Sequence, residues 1–188
     1  HNKRFYVDYA DRREYMSLSN LLKKGSYLDM DYIYSTLSDS RGEDPVDYDA
    51  FSASPSQYVV VATDARTGLP HYFTRTDVKR DDYAIVKASC CLPIACKPYW
   101  VDGVPYFDGG VADPVPYRRA LADGCSKLVV LLTRPRDFVR PPLGHLPAAR
   151  FSLRAYPKAL EALTHRHEKY NQAVAEEKAG AVAEQSEE

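Results

Sequence analysis

Apolar and polar residues change rhythm several times along this chain, and each rhythm predicts a different element. Residues 11–24 place Tyr15, Leu18, Leu21 and Leu22 at helical spacing and end on Gly25, the pattern of a helix closed by a left-handed cap. A second short helix is expected after Asp29 or Asp31, running through Ile33 and Leu37. Residues 39–49 are acidic and polar, broken by Gly42 and Pro45, and read as an exposed loop. The spacing then tightens. Tyr58-Val59-Val60-Val61-Ala62-Thr63 is a continuous β-prone run, the pattern of a strand buried on both faces. A turn at 64–68 returns the chain through a second strand at 70–74. Residues 82–91 predict a helix with Asp82 at its start, Ile85, Val86 and Ala88 inside, and Pro93 beyond its end.

Asp102-Gly103 lies between two short β-prone runs, 97–101 and 104–107, which is a strong hairpin signal. Pro105 confines its strand to an edge or a sheet end, because proline has no amide proton to give to a ladder. A helix over 117–122 is stopped by Gly124, and residues 127–133 predict another fully buried strand. Residues 134–157, rich in Pro and Arg, read as irregular. Residues 158–178 form a helix with Leu160, Leu163, His167 and Tyr170 near one face, and the last six residues should fray. No internal repeat is visible. Buried strands separated by helices predict an α/β layered fold rather than a sandwich.

Composition narrows the function classes. The chain has 188 residues, enough for one well-cored domain and too few for two comfortable ones. Its 25 Lys+Arg balance 26 Asp+Glu, which argues against nucleic acid as a partner, since phosphate binding needs clustered basic charge. Its longest apolar runs are about five residues, against the ~20 that span a bilayer. The chain opens His1-Asn2-Lys3-Arg4, with no Met and no signal peptide, as expected of a piece that begins inside a larger unit. Cys90, Cys91, Cys96 and Cys125 match no zinc spacing and lack a nearby histidine pair. Small buried thiols in a reducing, cytoplasmic compartment are the simplest reading.

Asp108 is the one charged residue that calls for a chemical explanation. It ends the run 104–107 and is followed by Gly109 and Gly110, which allow a sharp turn or a close backbone approach. A carboxylate at a strand end is rigidly held, as a general base must be. By residue type alone, a plain turn is the simpler account of Asp-Gly-Gly.

The surrounding series shifts that balance. Val-Val-Val-Ala-Thr-Asp at 59–64 with Thr67-Gly68 is followed by Ala88-Ser89 and Pro93, then Val101-Asp102-Gly103, Tyr106 and Asp108-Gly109-Gly110. Asp113-Pro114-Val115-Pro116, Gly124 and the Leu/Val run ending Leu132-Thr133-Arg134 complete it. This order resembles the bacterial patatin-like phospholipase family over most of the chain. The helix carrying His165, His167, Glu168, Tyr170 and Asn171 is similar to a tail found in one bacterial branch.

The resemblance implies a three-layer α/β/α fold and a Ser-Asp dyad that hydrolyses lipid acyl esters without a metal or organic cofactor. Residues 1–135 would be the later part of that hydrolase domain, and 136–188 a Pro/Arg-rich connection with a C-terminal helical tail. Asp108 inherits the role of base, with Gly109 and Gly110 completing the motif. The family's nucleophile sits in Gly-x-Ser-x-Gly, and its oxyanion donors in a Gly-rich loop. The nine glycines lie at 25, 42, 68, 103, 109, 110, 124, 144 and 180, and no two are four or two apart. The chain therefore holds the base and neither of the other parts, which would come from the N-terminal part of the same protein. The expected partners are that part, a lipid acyl ester and a membrane surface met peripherally. The rival reading is a non-catalytic lipid- or protein-binding relic of the fold.

Other candidates are weaker. Ser89 lacks an elbow's glycines, and Cys90 would need a nearby His or a basic setting. His165 and His167 fall on different helix faces. His71 and His145 are isolated, and Arg118-Arg119 reads as a solvated helix start before it reads as a phosphate contact.

Overall fold

Four strands form one antiparallel sheet in the order β2-β1-β4-β3: β1 Val59–Asp64, β2 Pro70–Thr74, β3 Tyr99–Val101 and β4 Val104–Asp108. The computed structural model describes residues 2–135, 137–144 and 147–185. Helices α1 (Asn2–Val7), α2 (Leu18–Lys24), a π-helix (Tyr32–Leu37) and α3 (Tyr48–Ala53) precede the sheet. Helix α4 (Ala84–Cys90) joins the two hairpins, and α5 (Tyr117–Ala122), α6 (Pro147–Ser152) and α7 (Pro157–Gln185) follow.

The two hairpins form for local reasons. Asp102 (φ 48°) and Gly103 (φ 76°) are both left-handed, the two-residue turn whose twist matches its strands. A Cβ on Gly103 would meet nothing within 4 Å, so backbone torsion alone selects glycine there. β4 is an inner strand, and Pro105 is accommodated because β1 pairs only with its neighbours, through Asp64↔Tyr106, Thr63↔Phe107 and Ala62↔Asp108. The Pro105 carbonyl still accepts from the Ala65 amide at 2.9 Å, so the site is a sheet end on that side.

Consecutive residues of β4 point to opposite faces and into different cores. Tyr106 packs with Val60, Ala62, Phe73, Val78, Tyr83, Ile85 and Ala88, under α4. Phe107 packs with Ala65, Val111, Ala149, Leu153, Ala159, Ala162 and Leu163, under α6 and α7. The expected α/β layering is present, with helices on both faces of an antiparallel sheet.

Several sequence expectations need correcting. Residues 127–133 form no strand: they pair with neither outer strand, and Val129 and Leu131 are about nine-tenths exposed (91% and 89%). A β-prone run becomes a strand only where a second backbone offers its hydrogen-bonding groups. The helix expected from residue 11 is α2 and begins at Leu18, where Ser17 accepts the Asn20 amide; Gly25 closes it as expected, at φ 71°. The short helix after Asp29 is a π-helix, and Asp29 Oδ1 accepts the amides of Asp31 and Tyr32 at its start. The acidic stretch 39–49 is not wholly exposed, for Asp44 is buried against Arg4 at 3.2 Å and α3 begins at Tyr48. Residues 134–157 include α6, whose Ala149 is core. The last helix runs on to Gln185, and Ala159, Ala162, Ala173 and Val174 join Leu163 and Tyr170 as its buried residues. Of the cysteines, Cys91 and Cys96 are buried, Cys90 is half-buried and Cys125 is exposed; all four are free.

Candidate active site

β4 ends at Asp108, and a single 3-10 turn, Gly109–Val111, begins immediately after it. The carboxylate caps that turn: Oδ1 accepts the Gly110 amide at 2.7 Å. Oδ2 accepts no hydrogen bond from any described residue. The Asp108 backbone is held on both sides, its amide donating to the Cys91 carbonyl at 2.8 Å and its carbonyl accepting from Thr63 Oγ1 at 2.8 Å. Thr63 Oγ1 also accepts the Ala112 amide at 3.1 Å, so one fully buried hydroxyl bridges the two ends of the turn. Tyr72 on β2 ties down the following residues by donating to Asp113 Oδ2 at 2.6 Å.

The two glycines of the motif do different work. A Cβ on Gly109 would lie 2.1 Å from the Val61 carbonyl oxygen, so the turn can press against β1 only if this residue has no side chain. A Cβ on Gly110 would lie 3.0 Å from Asp108 Oδ1 and 3.1 Å from Arg166 Nη2. The carboxylate and a guanidinium from α7 thus approach the same open space.

Electrostatics at the site are set by burial first. Burial pushes the Asp108 carboxyl above the usual carboxylate range, while the Gly110 amide and the Arg166 charge pull it back down. Arg166 is lowered by its own burial and by repulsion from Arg140, and the carboxylate that counters this is Asp108. Its Nε is buried and has no hydrogen-bond partner. Burial pushes the neighbouring Cys90 thiol up, which is unfavourable to a thiolate nucleophile.

Thr63 and Arg166 are the participants that sequence reading did not single out. Thr63 carried a faint signal, as a hydroxyl at the end of an apolar run. Arg166 carried none, standing between histidines on a charged helix. The residues weighed as rivals have local partners instead. His165 Nδ1 lies 3.1 Å from Glu168, and His167 Nδ1 lies 2.9 Å from the Thr164 carbonyl. Arg118 pairs with Glu176 and Arg119 with Asp123. His71 packs on Phe73 and Tyr106, Ser89 lies within α4, and His145 falls outside the described residues.

The α/β layered fold thus presents a half-buried carboxylate on a strand-end Asp-Gly-Gly turn. Residues 2–121 match the patatin-like phospholipase family, and the chain belongs to it. It is 23% identical over 144 residues to YjjU, an uncharacterized protein of Escherichia coli (strain K12). That alignment covers 74% of this chain and 39% of YjjU, so the chain spans about two fifths of its relative. No solved structure matches it significantly. Among the described residues no helix is long and apolar enough to cross a membrane.

Proposed function

We propose that this chain is the base-carrying part of a serine hydrolase that cleaves lipid acyl esters with a Ser-Asp dyad. The observation that supports this most is the division of labour in Asp108. Oδ1 is anchored to the turn at 2.7 Å, and Oδ2 is left uncommitted beside it. A base that acts directly on a serine needs one oxygen to fix its direction and one to receive the proton.

In the proposed cycle the serine comes from the N-terminal part of the same protein. Its Oγ bonds to the ester carbonyl carbon as its proton passes to Asp108 Oδ2. The carbonyl electrons move onto oxygen, where backbone N–H donors of the missing glycine-rich loop stabilise them. Collapse of this intermediate expels the alcohol, which takes the proton from Asp108 and leaves an acyl-serine. Water then attacks the acyl group with Asp108 again accepting a proton, and the fatty acid departs as that proton returns to serine. No step in this cycle calls for a metal or an organic cofactor. The free cysteines support a cytoplasmic protein, and its lipid would be met by peripheral contact with a membrane surface.

The experiment is a p-nitrophenyl ester assay on two proteins, the 188-residue chain and a longer product extended upstream. The chain alone should show no turnover. In the longer protein Asp108→Ala should lower kcat by about three to four orders of magnitude, the scale of other dyad and triad losses. Near-normal activity in that variant would remove Asp108 from the role. A longer protein that lacks a nucleophile elbow and binds lipid without turnover would instead establish the relic.

A further inference from the structure

The family match ends at residue 121, yet the site draws a charged group from beyond it. Helix α7 buries Ala159, Ala162 and Leu163 against Phe107 and Val111, which straddle the Asp-Gly-Gly turn. Further along the same helix, Lys169 Nζ donates to the Ala112 carbonyl at 2.9 Å. Between these two contacts, Arg166 reaches the open side of Gly110, where Asp108 Oδ1 also lies. Arg166 makes no hydrogen bond to any described residue, and its Nε is buried without a partner. Desolvating a guanidinium with no hydrogen-bond acceptor is costly, and Arg140 adds repulsion. The charge of Asp108 opposes these two effects without outweighing them.

We propose that Arg166 is a positioning residue for Asp108: its guanidinium, facing the carboxylate across the side-chain-free edge of Gly110, keeps that half-buried group charged and ready to accept a proton. The proposal rests on the reading of Asp108 as the base. It makes the tail helix a working part of the site, supplying charge that the family-matched segment does not place there. The other titratable groups facing Asp108 are Cys90 and Cys91 at the end of α4 and Cys96 in the following loop. A cysteine carries no positive charge in either protonation state. Among the described residues Arg166 is the cation whose charge lowers Asp108, and Arg140 repels Arg166.

The test is a carboxyl-carbon NMR titration of the 188-residue chain, with Asp108 assigned by comparison with Asp108→Asn. Arg166→Gln should move the Asp108 midpoint upward by about one pH unit, the low end of what a nearby opposite charge produces. Arg166→Lys, which keeps the charge, should hold the midpoint within about a third of that shift. Amide spectra of both variants check that α7 remains docked. An unmoved midpoint in a folded Arg166→Gln overturns the proposal, and so does an equal rise in Arg166→Lys. The titration needs no turnover, so its failure would remove Arg166 and leave the Ser-Asp reading standing. Full activity of Asp108→Ala in the longer protein would do the reverse.

Discussion

Asp108 is held where a carboxylate is uncomfortable, and that has a consequence for stability. Burial raises its folded pKa above the unfolded value, so the group favours the folded state at low pH. That contribution is fully present below the ordinary Asp value of about 3.9 and is lost as pH rises through the folded value. Above that window Asp108 therefore costs stability. Asp108→Asn should raise Tm at pH 7, and the difference from wild type should close as pH falls below about 4; a lower Tm at pH 7 would contradict this. Thr63 shows the opposite economy. It is fully buried and its hydroxyl serves both the Asp108 carbonyl and the Ala112 amide. Thr63→Val keeps the shape but strips the hydroxyl from the Asp108 carbonyl and leaves the Ala112 amide only the Gly109 carbonyl at 3.2 Å, at about 1–3 kcal/mol. Denaturant unfolding should show that loss, with Thr63→Ser recovering most of it. Asp108 was legible because its position between an apolar strand and two glycines is local. Arg166 was not, because nothing near it in the chain marks where its guanidinium goes.

Among the elements, the β3–β4 hairpin and the run at 127–133 differ in what they require. The hairpin needs only a turn that accepts two positive φ values, and Asp102-Gly103 supplies it. A buried strand needs a partner, and residues 127–133 have the composition of one with no ladder to join. Such an exposed apolar run invites association with other chains. Replacing Val129 and Leu131 together with Lys should reduce self-association in sedimentation velocity while changing unfolding free energy by less than about 1 kcal/mol. Loss of folding in that double variant would show that the run is buried in solution. Lys87 makes the converse point: a charged residue in an apolar helix is almost fully buried. Its ammonium is satisfied by Asp31 at 2.9 Å, Tyr99 at 3.1 Å and Ser35, fastening the π-helix and β3 to α4.

At the scale of the whole molecule, the sheet separates two cores, and the candidate base stands where both meet. α4 closes one face with Ile85 and Ala88, and α6 and α7 close the other with Ala149, Leu153, Ala159, Ala162 and Leu163. Because α7 both seals the second core and brings Arg166 to Gly110, its packing and the electrostatics of the site are one arrangement. The sequence by itself determined the layered class, the two hairpins, the helix stops and the place of Asp108, since each depends on periodicity, torsion or motif order within a short stretch. It did not determine strand order, the unpaired state of 127–133, the burial of Asp44 and Lys87, or the approach of Arg166 to the open side of Gly110. Those depend on which distant surfaces come together, and only tertiary packing decides where a backbone finds a partner or a charge finds its counter-charge.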